Sequence, residues 1–260
     1  MKTRDILKKH ILELESGDGI CLSDLVYWLS DQSFNTKGQD LEKFLFGLIK
    51  GPMESDQIKI EISENKLDKD IPIENDKDHD VKGFSLKNYT PTRIQITTFK
   101  DFLSQTISKC SNYQEKEFFS KEDIDLLKDY IKKCFKEELT IITVFDSEKS
   151  KSAAFFFDVE KMIESIQSMF YFIAAQGGKT EHKRIVLLQE KNMRLTLDLG
   201  TNPLNRGVWV EKIDVDSPPC FFETILCKEI DPKKYNKIST EDFVKHQINY
   251  LKSNWKKIPS

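Results

Sequence analysis

Between residues 139 and 230 the chain repeats short apolar runs at intervals too short for crossover connections. LTIITVF (139–145) and AAFFF (153–157) flank a polar loop, and RIVLLQE (184–190) is followed at once by MRLTLDL (193–199). Two further runs, 208–216 and 221–230, are separated by Ser217-Pro218-Pro219. Runs of this length bounded by turn residues read as strands. A parallel crossover needs a dozen or more residues, so neighbours this close pair antiparallel. The expected core is therefore a largely antiparallel sheet of about six strands with helices packed on it, an α+β domain. Ile185–Leu188 is apolar enough to be covered on both faces, whereas MRLTLDL alternates and is expected to keep one face wet.

Helical spacing fills the gaps between these runs. Thr98 is expected to open a helix carrying Phe99, Phe102, Leu103 and Ile107. Ser120 and Asp123 have the spacing of a capping box, and Phe119 can staple onto Ile124 ahead of the stripe Ile124, Leu127, Ile131, Phe135. Asp158 is expected to cap a long helix through Gln176, with Val159, Ile163, Ile166, Phe170 and Ile173 as its stripe. Its last turns, MFYFIAA (169–175), are apolar all round, which marks Tyr171 and Phe172 as candidate contacts with a partner or with the N-terminal residues. A final helix from Ser239 or Thr240 to about Trp255 carries Val244, Ile248, Leu251 and Trp255 on one stripe, with Lys245, Lys252 and Lys256 beside it.

The first fifty residues read as three short helices. The first ends at Gly17-Asp18-Gly19, Ser23 caps the second, and Gly51-Pro52 stops the third. The alternating Ile58, Ile60 and Ile62 then give a strand signal. That order resembles a winged-helix module. Residues 54–80 hold ten acids against four lysines with little periodicity beyond Ile62, the composition of a solvated linker. The expected organisation is a winged-helix-like module over 1–63, an acidic linker over 64–92, and an α+β domain over 93–260.

Composition narrows the function classes. Lys and Arg number 40 against 43 Asp and Glu, a net charge of −3, so no global basic field exists to recruit nucleic acid or an anionic membrane. No apolar run approaches the roughly 18–20 residues that span a bilayer, and no signal-peptide core follows Met1. Five scattered Cys without a C-x-x-C pair read as reduced thiols, which points to the cytoplasm.

Motifs that would carry chemistry are thin. Gly178-Lys179-Thr180 matches the end of a phosphate-binding loop, but position 173 is Ile where the loop needs Gly. The expected helix before the glycines and strand after them reverse the order such a loop requires, so the glycines read as a helix stop. Asp214 and Asp216 alternate on an expected strand and could hold Mg²⁺ with Glu223, but Lys212 shares that face. Gln189-x-Lys191 is an incomplete echo of a nuclease strand, and none of His10, His79, His182 and His246 stands in a local nucleophile frame. No cofactor, metal or catalytic residue is expected.

Local charge is more informative. Residues 177–212 hold seven bases against four acids, and residues 232–260 hold seven Lys against two acids. Lys179, Lys183, Arg184, Lys245, Lys252 and Lys256 are the candidate contacts for phosphate or an acidic partner. The leading expectation is a non-catalytic protein-interaction protein of the adaptor, chaperone or immunity type, with another protein as partner and self-association left open. The alternative is a nucleic-acid-binding protein or subunit using the helical start or the basic C-terminal half. An enzyme with an unrecognised site stands third.

Overall fold

A computed structural model describes residues 2–16, 21–30, 38–61, 71–74, 80–89, 93–98, 117–135, 138–176, 180–190, 193–198 and 207–231. Its helices are α1 (Thr3–Ser16), α2 (Leu22–Ser30), α3 (Gly38–Ser55), α4 (Lys121–Cys134) and α5 (Val159–Ser165). The strands are β1 (Ile71–Pro72), β2 (Gly83–Tyr89), β3 (Arg93–Thr98), β4 (Glu138–Asp146) and β5 (Lys151–Phe157), then β6 (Phe170–Gln176), β7 (Thr180–Gln189), β8 (Arg194–Asp198), β9 (Gly207–Glu211) and β10 (Phe222–Glu229). The mixed helix-and-sheet class is as expected. The chain groups into two compact units, residues 1–88 with 138–156 and 224–260, and residues 89–137 with 157–223. This differs from the three consecutive segments read from the sequence, because Ile71–Pro72 and Gly83–Tyr89, inside the expected linker, are strands of a sheet.

In the first unit the sheet order is β1-β2-β4-β5-β10. The helices and this sheet share one core: Leu7 and Ile11 of α1, Leu22 and Val26 of α2, and Leu45, Phe46 and Met53 of α3 cluster with Phe84, Ile141 and Phe156. Phe46 stacks on Phe84 with ring centroids 5.1 Å apart, and the Arg4 guanidinium lies 4.9 Å over the Phe156 ring. β4 and β5 are buried on both faces, since Ile141 and Ile142 are both inaccessible, as are Ala154 and Phe155. They form the expected hairpin, turning through Asp146, whose Oδ1 accepts the N–H groups of Glu148 and Lys149 at 3.1 and 3.0 Å.

Carboxylates from distant positions close the open backbone groups of this unit. Thr3 N–H at the start of α1 donates to Asp80 Oδ1 at 3.2 Å. Ser23, the expected cap, sits inside α2, and its N–H and hydroxyl both donate to Glu15 from the end of α1. Leu86 N–H on β2 lies beyond the two-residue reach of β1, and the buried Glu42 of α3 accepts it at 2.6 Å.

Gly51-Pro52 does not stop α3, which runs on to Ser55 with Pro52 inside it. A residue before proline avoids the helical region because its Cβ and N–H crowd the proline ring; Gly51 has no Cβ, and the fully buried Met53 anchors the last turn. The stop comes later. Gln57, at φ 66°, takes the left-handed position, with Ile58 N–H to Met53 O at 2.9 Å and Gln57 N–H to Glu54 O at 3.0 Å. Those two bonds and the buried Ile58 and Met53 make a Schellman cap. Ile58 and Ile60 are buried on either side of the exposed Lys59, as alternation predicts, but only an isolated bridge, Ile60 to Ile73, forms there among the described residues.

The second unit holds the antiparallel sheet β3-β9-β8-β7-β6. Gly207 is required where β9 meets β3, since a Cβ there would lie 1.8 Å from Thr97 O. The Ser120 cap of α4 is as read, its Oγ accepting Asp123 N–H at 3.2 Å, with Phe119, Ile124, Leu127 and Ile131 buried behind it.

Asp158 does cap a helix, accepting Lys161 N–H at 3.0 Å, but α5 ends at Ser165 and FYFIAAQ becomes the strand β6. Aromatic and β-branched residues dominate that run and favour a pleated strand. An all-round apolar helix and a uniformly apolar strand present the same letters. Thr98, expected to open a helix, is the last residue of β3; Phe99, Phe102, Leu103 and Ile107 and the final helix with Val244 and Trp255 lie outside the described residues.

Candidate interaction site

The hairpin β6–β7 carries most of the sequence-derived candidates. Its register sets Tyr171 opposite Ile185, Phe172 opposite Arg184 and Gln176 opposite Thr180. Residues 177–179 therefore connect two antiparallel strands rather than ending a helix. A phosphate loop needs a helix N-terminus after its glycines, and a strand stands there instead. Lys179, Lys245, Lys252 and Lys256 lie outside the described residues, and of Lys183 only its backbone, paired with Ile173, is described.

Successive residues of a strand face opposite sides, so Tyr171 and Phe172 fall in different rows of the sheet. Tyr171 heads the row Ile185, Leu197, Val208, all three fully buried. Phe172 heads the row Arg184, Asp198, Gly207. This removes the two-sided-helix argument for those residues. What replaces it is position: among the described strands β6 pairs only with β7 and forms one edge of its sheet.

The second row is charged. Arg184 Nε lies 3.3 Å from Asp198 Oδ2, and its Nη1 donates to Glu211 Oε1 at 2.9 Å. Arg194 reaches the other Glu211 oxygen at 3.8 Å. Asp198 is 1% exposed and Thr196 likewise, so β8 does not keep the wet face its alternation predicts. Arg184 opposite it supplies the countercharge that lets a carboxylate be buried. The same pairing engages the Arg184 guanidinium, sequence-derived as a phosphate or acidic-partner contact, with two carboxylates of its own sheet.

A cleft of about 580 Å³ opens beside the start of this hairpin. Phe118, Ser165, Gln167 and Ser168 line it together with Val186, Leu188, Gln189 and Glu190. The ladder to β8 shifts beside it, with a bulge at Leu187, because Val186 aligns with Thr196 and Leu188 with Leu195, consecutive residues of β8. Phe118 is 64% exposed, although Phe119 beside it is buried. The sequence signal was that doublet ahead of the Ser120 cap: only one ring can serve as the staple.

The remaining candidates do not assemble. β9 ends at Glu211, Lys212 takes φ 59°, and Asp214 Oδ1 accepts Asp216 N–H at 3.0 Å, so the two aspartates shape a turn rather than a strand face. No group of three His, Cys, Asp or Glu able to hold a metal occurs among the described residues. Cys21 is buried, which pushes its thiol pKa up, while Cys220 and Cys227 are exposed. His10 on α1, which is buried, was not recognised from sequence as a bridging group. Its Nδ1 stands 2.9 Å from Glu13 Oε2 and its Nε2 2.7 Å from Asp56 Oδ2. With a carboxylate at each nitrogen, the ring donates at both ends only when doubly protonated. The His10 hydrogen bond is the main cause that lowers the Asp56 carboxyl pKa, aided by Lys9 and opposed by desolvation.

No helix among the described residues is long and apolar enough to cross a membrane. Comparison with protein-family models, curated proteins and solved structures found no match to this chain.

Proposed function

We propose that the protein is a non-catalytic interaction protein that receives an extended segment of another protein on the free edge of β6. The observation that carries this reading is the edge position of F-Y-F-I-A-A-Q in an antiparallel sheet. Seven residues with no proline and no charge form an edge of the kind that strands of other chains extend. Natural edges are usually blunted by charge or proline, and this one carries neither. Lys179 and Lys183, near the turn in sequence, favour an acidic partner segment at that end. In this reading the winged-helix-like start contributes contacts without reading bases, since α3 buries Glu42 and packs Leu45, Phe46 and Met53 on its own sheet. In this reading the protein works in the cytoplasm.

Adjacent proline substitutions test the reading. In an antiparallel pair, alternate residues direct their N–H to the partner strand, so one of Ala174→Pro and Ala175→Pro breaks the β7 ladder and the other removes only an outward donor. Partners captured from the source cells by the wild type are identified and remeasured as purified proteins. The variant that keeps its thermal midpoint should lose that binding at least tenfold. Binding that survives both substitutions contradicts the reading.

A further inference from the structure

The cleft at the bulged end of β7 has a chemistry that the β6 edge does not use. Its lining among the described residues contains the carboxylate of Glu190, the carboxamides of Gln167 and Gln189, two serine hydroxyls, and no Lys or Arg. Among the described lining residues, an anion would meet Glu190 without a countercharge. A cation meets a carboxylate and, in the same cleft, an aromatic ring that is 64% exposed. Coulomb attraction and the quadrupole of the ring act in the same direction on such a group. The amide and hydroxyl oxygens can accept its other N–H groups, while Val186 and Leu188 offer an apolar surface to methylenes. The volume falls within the roughly 300–1,000 Å³ of small-ligand sites.

We propose that this cleft binds a guanidinium carried on an alkyl chain, the chemistry of an arginine side chain. A guanidinium fits better than an ammonium because it is planar. It can stack on Phe118 while presenting its fork of N–H donors to Glu190, which a compact ammonium cannot do. The site is independent of the β6 edge, and failure of one leaves the other standing.

The test is a calorimetric titration of the full chain with two probes, N-acetyl-arginine amide and a glycine pentapeptide carrying a central arginine. Citrulline versions of both, isosteric and neutral, are the controls. Saturable binding of an arginine probe, at least tenfold weaker with citrulline, is expected. Glu190→Gln and Phe118→Ala should each weaken binding about tenfold without moving the thermal midpoint, because both side chains are exposed. A peptide bound tenfold tighter than the amide identifies an arginine within a chain as the source, and equal affinities identify a free alkylguanidine. No saturable binding by either probe, equal binding of the citrulline forms, or affinities unmoved by both substitutions overturns the proposal.

Discussion

Asp56 joins two helices through a single carboxylate. It lies in the cap of α3, and its Oδ2 accepts from His10 Nε2 at 2.7 Å and from Lys9 Nζ at 3.4 Å, both on α1. Its folded pKa is depressed, so the stability it contributes is present above the unfolded aspartate value of about 3.9 and is lost as pH falls through the lower folded value. Asp80 follows the same rule: desolvation raises its pKa, but the Thr3 hydrogen bonds outweigh it and the net shift is downward. Denaturant unfolding from pH 7 to pH 2 should show the gap between wild type and Asp56→Asn wide above pH 5 and closing below pH 4. A gap that stays constant into acid would show that the hydrogen bonds, not the charge, carry the effect. Glu42 poses the starker case, because it is buried and holds the Leu86 N–H. Glu42→Ala should cost about 1–3 kcal/mol by leaving a buried donor without its acceptor, measurable as a lower denaturation midpoint at unchanged slope.

Among the elements, α3 and β6 are the two places where local sequence rules yielded to context. Pro52 has no N–H for the Leu48 carbonyl, yet α3 continues because Gly51 accommodates the ring and Met53 is buried beyond it. Replacing the exposed Pro52 with Ala restores that bond. Thermal unfolding should report a gain of about 1 kcal/mol, a partial return of the roughly 3 kcal/mol a helix-interior proline costs; a loss would mean that chain stiffness in the unfolded state dominates. The α4 cap is the contrasting case, where local signals agree with the fold. Ser120, Asp123 and the Phe119 staple stand as their spacing predicts, and Ser120→Ala should cost about 1 kcal/mol.

For the whole molecule, what was legible followed from how local the determining contacts are. The β4–β5 hairpin and α4 are fixed by residues within a few positions of each other, and both could be read directly. β6 could not. Ile166, Phe170 and Ile173 satisfy helical spacing, and only pairing with β7, from Gln176 opposite Thr180 to Phe170 opposite Val186, decides for a strand. The burial of Asp198 depends on Arg184 from the neighbouring strand. The division into units depends on Asp80, Phe84 and Phe156 meeting the first three helices across long stretches of chain. The cleft was invisible for the same reason, since Phe118 and Glu190, far apart in the chain, both line it.

The central claim is that β6 is an edge open to another chain, and amide hydrogen exchange along Phe170–Gln176 in the free monomer tests it most directly. Every second residue of β6 should be protected by its bond to β7, with the intervening amides exchanging orders of magnitude faster, as an open edge requires. On adding the identified partner, the fast set should slow to match the other. Uniform protection of β6 amides in the free monomer would show the edge already covered within the chain and would contradict the account.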